Sequence, residues 1–220
     1  DQEKINSFFK HWLQMLADEI KEKETTIFEI IARLDMQDEN IEKRLHSPEY
    51  QSLLKKAFRE WPAAESEKKR ELVRNILANA AVTKVVSDDV INLFLDWLKN
   101  YSELHFQVIG VIYNNNGINR SEVWTRLGKQ AVREDSADAD LFKLLFRDLA
   151  TGGVIRQHKE IDYNGNFVLK SGGRQKGSSG HIAKSAFDDK DPYELTQLGQ
   201  QFVHYAMTDL PLKIEAPKNE

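Results

Sequence analysis

Between Phe167 and Phe187 the chain carries Lys170, Arg174, Lys176 and Lys184, with His181 among them, and no carboxylate. The same stretch holds Gly172, Gly173, Gly177 and Gly180 together with Ser171, Ser178 and Ser179. Glycine and serine let backbone N–H groups approach an anion, and the basic side chains can neutralise phosphates with an affinity that falls as salt rises. The alternative reading of the stretch is a flexible, solvated loop. A second basic group, Arg120, Arg126, Lys129 and Arg133, lies further upstream. A third, Lys143 and Arg147, sits among Asp138, Asp140 and Asp148, which makes it a poor surface to bring near phosphates.

Other chemistries find less support. The segment Gly172-Gly173-Arg174-Gln175-Lys176-Gly177-Ser178-Ser179-Gly180 lacks the Gly-Lys-Ser/Thr ending of a phosphate loop. His11, His46, His105, His158, His181 and His204 are scattered, with no spacing suited to a metal, and His105 and His204 fall in helical patterns as packing residues. Asp188, Asp189 and Asp191 lack calcium-loop spacing and read as a charge cluster ahead of a helix. No serine stands in a Gly-x-Ser-x-Gly context. Cysteine is absent, which removes disulfides, thiol nucleophiles and Cys-based zinc sites and fits a cytoplasmic protein. The expectation is a protein without cofactor, metal or catalytic centre.

A chain of 220 residues, 40% hydrophobic and 30% charged, has the balance of a globular protein with one or two cores. Its net charge of −4 is spread over both halves, so nucleic acid would have to be met by a local patch. No apolar run approaches the roughly 20 residues that span a bilayer. No signal peptide is visible, and the chain begins at Asp1 rather than Met, so residues can precede it.

The elements that must position these residues follow from periodicity. Ile5, Phe8, Phe9, Trp12, Leu13, Leu16 and Ile20 recur at three- and four-residue spacings, which predicts an amphipathic helix with a broad apolar face. A helix so apolar either packs back on its own domain or pairs with another subunit. Thr26 to Leu34 continues it or forms a second short helix. Ser47-Pro48-Glu49 starts another helix, which Pro62 ends, and Ser66 and Ser87 cap two more. After Asn100 the pattern changes to an apolar helix over residues 103–113, stopped by Asn114-Asn115-Asn116-Gly117. A short helix over 120–127 and a helix over 138–150 closed by Gly152-Gly153 come next. Residues 154–158 read as a strand, Asn164-Gly165 as a hairpin turn, and Phe167-Val168-Leu169 as the returning strand. Residues 193–207 read as a closing helix and 210–220 as a tail.

This order, with Gly117-Ile118-Asn119-Arg120-Ser121-Glu122-Val123-Trp124 between the first two helices, resembles a winged helix-turn-helix. Leu141, Leu144, Leu145 and Leu149 look like the buried side of its third helix. Asp148-Leu149-Ala150-Thr151-Gly152-Gly153-Val154-Ile155 is similar to the passage from that helix into the first wing strand. Tyr193-Glu194-Leu195-Thr196-Gln197-Leu198-Gly199 is similar to the segment after the wing in bacterial examples. The N-terminal helices resemble those of uncharacterised bacterial proteins with a helical region ahead of such a domain.

The resemblance implies a mainly α fold: an all-helical domain over residues 1–100 for dimerisation or sensing, then a winged-helix domain over 101–209 with a small β-hairpin wing. It implies a nucleic-acid-binding protein with a basic wing, of the kind used in transcriptional regulation, and the contact residues would be Arg120, Arg126, Lys129, Lys143, Arg147, Lys170, Arg174, Lys176 and Lys184. The competing expectation is a protein-interaction module of a bacterial defence or complex-assembly system. DNA or a protein is the expected partner, with a homodimer formed through the N-terminal helices and no membrane.

Overall fold

The computed structural model describes residues 2–59, 66–130, 132–158 and 192–207. The chain divides into two units: Ser102–Val203, and Asp1–Tyr101 together with the described residues from His204. The architecture is mainly helical, with one small antiparallel sheet among the described residues. The expected turn at Asn164-Gly165, the returning strand 167–169, the helix stop at Pro62 and the tail 210–220 lie outside the described residues.

In the first unit, the segment from Thr26 continues the N-terminal helix, the first of the two alternatives, giving one helix α1 (Gln2–Ile31). Asp38 then caps the short α2 (Glu39–Leu45), its carboxylate accepting from the Asn40 N–H at 2.8 Å. Pro48 opens α3 (Pro48–Arg59) at the position where a missing N–H costs nothing. Ser66 caps α4 (Glu67–Val82) with its hydroxyl. Ser87 starts α5 (Asp88–Asn100) differently from expectation: its carbonyl accepts from Val90 and Ile91 at 3.0 Å each, and its side chain makes no cap bond.

Helix α4 is central and packs against α1, α2, α3 and α5. Ile76 and Leu77 are fully buried, as are Tyr50, Leu53, Ile91 and Phe94, and the Tyr50 hydroxyl donates to the Leu77 carbonyl at 2.9 Å. Burying each of these large side chains contributes roughly 1.5–3 kcal/mol. Arg44 ties α2 to its neighbours, donating to the Ala80 carbonyl at 3.1 Å and to the Asp88 carboxylate through both guanidinium nitrogens. Only the second half of α1 joins this body. Its Ile30 is buried, Arg70 meets Glu22 at 2.7 Å and Arg74 meets Glu29 at 3.2 Å. Residues 2–18 are exposed throughout.

In the second unit, α6 (Glu103–Asn114) begins where His105 Nδ1 accepts from the Ser102 N–H at 3.1 Å. Gly117, at φ +78°, turns the chain toward α7 (Arg120–Arg126) in a conformation that side chains resist. A reciprocal box sets the start of α7: Asn119 Oδ1 accepts from the Glu122 N–H at 2.9 Å, and Glu122 Oε2 accepts from the Asn119 N–H at 3.0 Å. Ser136 caps α8 (Ala137–Thr151). Strand β1 (Ile155–Gln157) then pairs antiparallel with β2 (Tyr193–Leu195), in the register Ile155↔Leu195, Arg156↔Glu194, Gln157↔Tyr193.

The expected closing helix over 193–207 is therefore corrected. Its first three residues are a strand, and α9 (Gln197–Ala206) starts after Thr196, whose hydroxyl accepts from the Gly199 N–H at 3.0 Å. Tyr193 also bridges to Ile118, donating its N–H to the Ile118 carbonyl at 2.8 Å. The core of the unit is a run of edge-to-face aromatic pairs: Trp124–Phe142, Phe142–Phe146 and Phe146–Tyr193, with centroids 4.8, 5.0 and 4.8 Å apart.

Candidate nucleic-acid interface

The outward side of α8 follows from which residues take its inward side. Ala139, Phe142, Leu145, Phe146 and Leu149 are buried. Phenylalanines at 142 and 146 claim the core, and a helix has room for one such stripe. Leu141 and Leu144, expected inside, are 44% and 37% exposed. Their neighbours on the surface are charged, and the charges are engaged. Lys143 Nζ lies 3.6 Å from Glu134 and 3.9 Å from Asp140, and it donates to the Glu134 carbonyl at 3.5 Å. Arg147 Nε lies 3.7 Å from Asp148, which also faces His105 Nε2 at 3.7 Å. Asp138 and Asp140 occupy the first turn, where they satisfy the helix dipole that would otherwise attract a phosphate.

The residues before α8 separate into two kinds. Arg120 is half-buried and folded inward, its guanidinium carbon 5.8 Å from the Phe146 ring centroid and 5.7 Å from that of Tyr193. Arg133 makes two 2.8 Å hydrogen bonds to Asp135, and that pairing holds the Asp135 carboxyl below its ordinary range. Arg126 and Lys129 differ from both. They are exposed and take no carboxylate partner among the described residues. Arg126 edges a shallow polar groove of about 560 Å³ that runs past Asn116, Ser121 and Thr125. The indole of Trp124 fixes the turn that carries Lys129, donating to the Gln130 carbonyl at 2.7 Å.

Of the expected contact residues, the structure thus leaves Arg126 and Lys129 available and engages Arg120, Lys143 and Arg147. Lys170, Arg174, Lys176 and Lys184 lie outside the described residues, as does the acidic cluster at Asp188, Asp189 and Asp191.

Sequence reading missed one polar cluster on the sheet. Glu194 accepts from Arg156 Nε at 2.6 Å, and its other oxygen lies 2.6 Å from His158 Nδ1. Burial pushes the Glu194 carboxyl up, but the hydrogen bonds and charges of His158 and Arg156 outweigh it and hold the group below the carboxylate range. The cluster joins residues far apart in sequence, so only the strand register reveals it.

Among the described residues, no group of three or more metal-ligating side chains could hold an ion. No helix among them is long and apolar enough to cross a membrane. No protein-family model, no curated protein and no solved structure matches this chain.

Proposed function

We propose that this chain is a non-enzymatic winged-helix binding protein that holds a nucleic-acid backbone through Arg126, Lys129 and the basic stretch containing Lys170, Arg174, Lys176 and Lys184. The order α6, Ile118 bridge, α7, α8, β1, β2 supports the winged-helix reading, with the extended backbone at Ile118 in the place of its first strand. The observation that carries the ligand is the contrast of charge within the unit. The cations of α8 are engaged by carboxylates, whereas Arg126 and Lys129 stand exposed without one among the described residues. Contacts of this kind go to phosphates and carry no sequence information. The acidic outer side of α8 argues against a base-reading repressor.

The test is retention on mixed-sequence duplex DNA over a range of salt. Affinity is expected to fall steeply with salt and to vary little with sequence. Arg126→Ala with Lys129→Ala is expected to lower the salt slope by roughly one per lost phosphate contact. Alanine at Lys170, Arg174, Lys176 and Lys184 is expected to lower it further, and Lys143→Ala to leave it unchanged. Absence of retention on any duplex at low salt overturns the reading.

A second reading is favoured by Leu141 and Leu144, which stand exposed on α8 beside Asp138 and Asp140. Apolar side chains among carboxylates suit a protein surface better than a major groove. On this reading the winged helix is a protein-interaction module, and duplex DNA is not retained.

A further inference from the structure

We infer that the exposed half of α1 is a self-association helix that pairs antiparallel with α1 of a second copy of this chain. The proposal is independent of the nucleic-acid reading. Ile5, Phe8, Phe9, Trp12, Leu13, Met15, Leu16 and Ile20 all stand exposed, Phe8 at 66% and Ile20 at 67%. The packing of α1 on α4 begins beyond them, with Glu22, Thr26, Glu29 and Ile30. A bare helix of this length is marginal in water, and an apolar surface of this size is rare on a monomer.

Area argues for a second copy. Eight side chains, each offering on the order of 100 Å² to a partner, supply roughly 800 Å² per chain, which is the share of one partner in a standard stable interface. Direction follows from the order of residues. Placing Trp12 against Leu13 of the other copy sets Phe9 against Leu16 and Ile5 against Ile20, so the stripe covers itself end to end. Charges of both signs flank the stripe at each end, Glu3, Lys4 and Lys10 at one and Asp18, Glu19, Lys21, Glu22, Lys23 and Glu24 at the other, so the apolar register and not charge sets the direction. Antiparallel pairing also opposes the two helix dipoles and places the first unit of each copy at opposite ends of the pair. An anionic membrane surface is a poorer occupant, because Asp18, Glu19, Glu22 and Glu24 outnumber Lys21 and Lys23 beside the stripe, where a membrane-lying helix carries an excess of lysine and arginine.

Sedimentation equilibrium of the full chain tests this. A mass twice that of the chain is expected at micromolar concentration. Trp12→Glu with Leu16→Glu is expected to weaken dimerisation by roughly thirtyfold or more, the loss typical of a central interface residue. Thermal unfolding of that variant controls for folding: the main transition is expected to stay in place, because residues 2–18 are all exposed. Direction is read by disulfide trapping, which is clean in a chain without cysteine. Leu13→Cys is expected to cross-link to itself under oxidation and Ile5→Cys is not. A monomer at all concentrations, a dimer that survives the double substitution, or self-linking of Ile5→Cys overturns the proposal. So does a monomer whose helicity rises only on phosphatidylserine vesicles.

Discussion

The guanidinium of Arg120 lies 5.8 Å from the centroid of Phe146, in the aromatic core of the second unit. Arginine stacked on a ring face is attracted by the ring quadrupole and shields the ring from water. Arg120 is therefore a packing residue first, although its position at the start of α7 makes it look like a phosphate contact. Arg120→Ala is expected to lower stability by about 1 kcal/mol. Arg126→Ala, at an exposed position, is expected to stay within about 0.5 kcal/mol of the parent. Urea denaturation of both variants checks the contrast, and equal effects would remove the distinction between the two arginines.

Glycine substitutions separate two positions that look alike in sequence, each inside a helix. A Cβ at Gly199 would stand 2.2 Å from the Val154 carbonyl oxygen, and that backbone is held by its own bonds to Leu149 and Thr196. Gly199→Ala is expected to cost about 3 kcal/mol or more, through displacement of α9 from β1. At Gly110 nothing lies within 4 Å of the added carbon. Gly110→Ala is expected to stabilise by roughly 0.5–1 kcal/mol, the gain of alanine over glycine inside a helix. Melting temperatures that move in opposite directions are the result to look for.

Local chemistry made much of the fold legible. A hydroxyl that accepts from an N–H three residues on is a short-range event, so Ser66 could be read as a cap from the residues beside it. Pro48 worked for the same reason. Ser87 is a local failure, since its hydroxyl makes no cap bond, but two others are non-local. Tyr193-Glu194-Leu195 looks helical beside the pattern that follows, and becomes a strand only because Ile155-Arg156-Gln157 stands ready to pair with it. Leu141 and Leu144 are apolar at helical spacing, yet Phe142 and Phe146 outcompete them for the core. The candidate site was legible in residue type but not in state. Sequence lists the cations, and only the structure shows that Lys143 meets Glu134 and Asp140 while Lys129 has no carboxylate partner among the described residues.

The Glu194 cluster predicts a pH dependence with a definite sign. The folded carboxyl sits below its ordinary value, held there by His158 and Arg156 against the effect of burial. A depressed folded value means that the unfolded chain binds the proton more readily. The stabilisation is therefore present above the unfolded carboxylate range, near pH 4.3, and is lost as pH falls through the folded value. The parent is expected to be more stable than Glu194→Gln at neutral pH, with the gap closing below about pH 4. A gap in urea midpoint that stays constant from neutral pH to pH 3 would show that the cluster contributes no linkage.

The end of α9 is held by side chains rather than by a glycine turn. The last carbonyls of a helix have no partner within it. Here Asn79 Nδ2 donates to the Tyr205 carbonyl at 2.9 Å, and Asn75 Nδ2 donates to the Ala206 carbonyl at 2.8 Å. Both asparagines are buried on α4, and Asn75 Oδ1 also accepts from Arg33 at 2.5 Å. Removing either amide strands a buried acceptor, at a cost of about 1–3 kcal/mol. Asn79→Ala is expected to fall in that range, and Asn75→Ala toward its upper end because Arg33 loses its acceptor as well. Hydrogen exchange gives the more specific readout. Amides of the last turn of α9 are expected to lose protection in both variants by more than those of α3, which touches neither asparagine's acceptor. Uniform loss across the chain would mean that the two amides stabilise the fold as a whole rather than fastening this helix end.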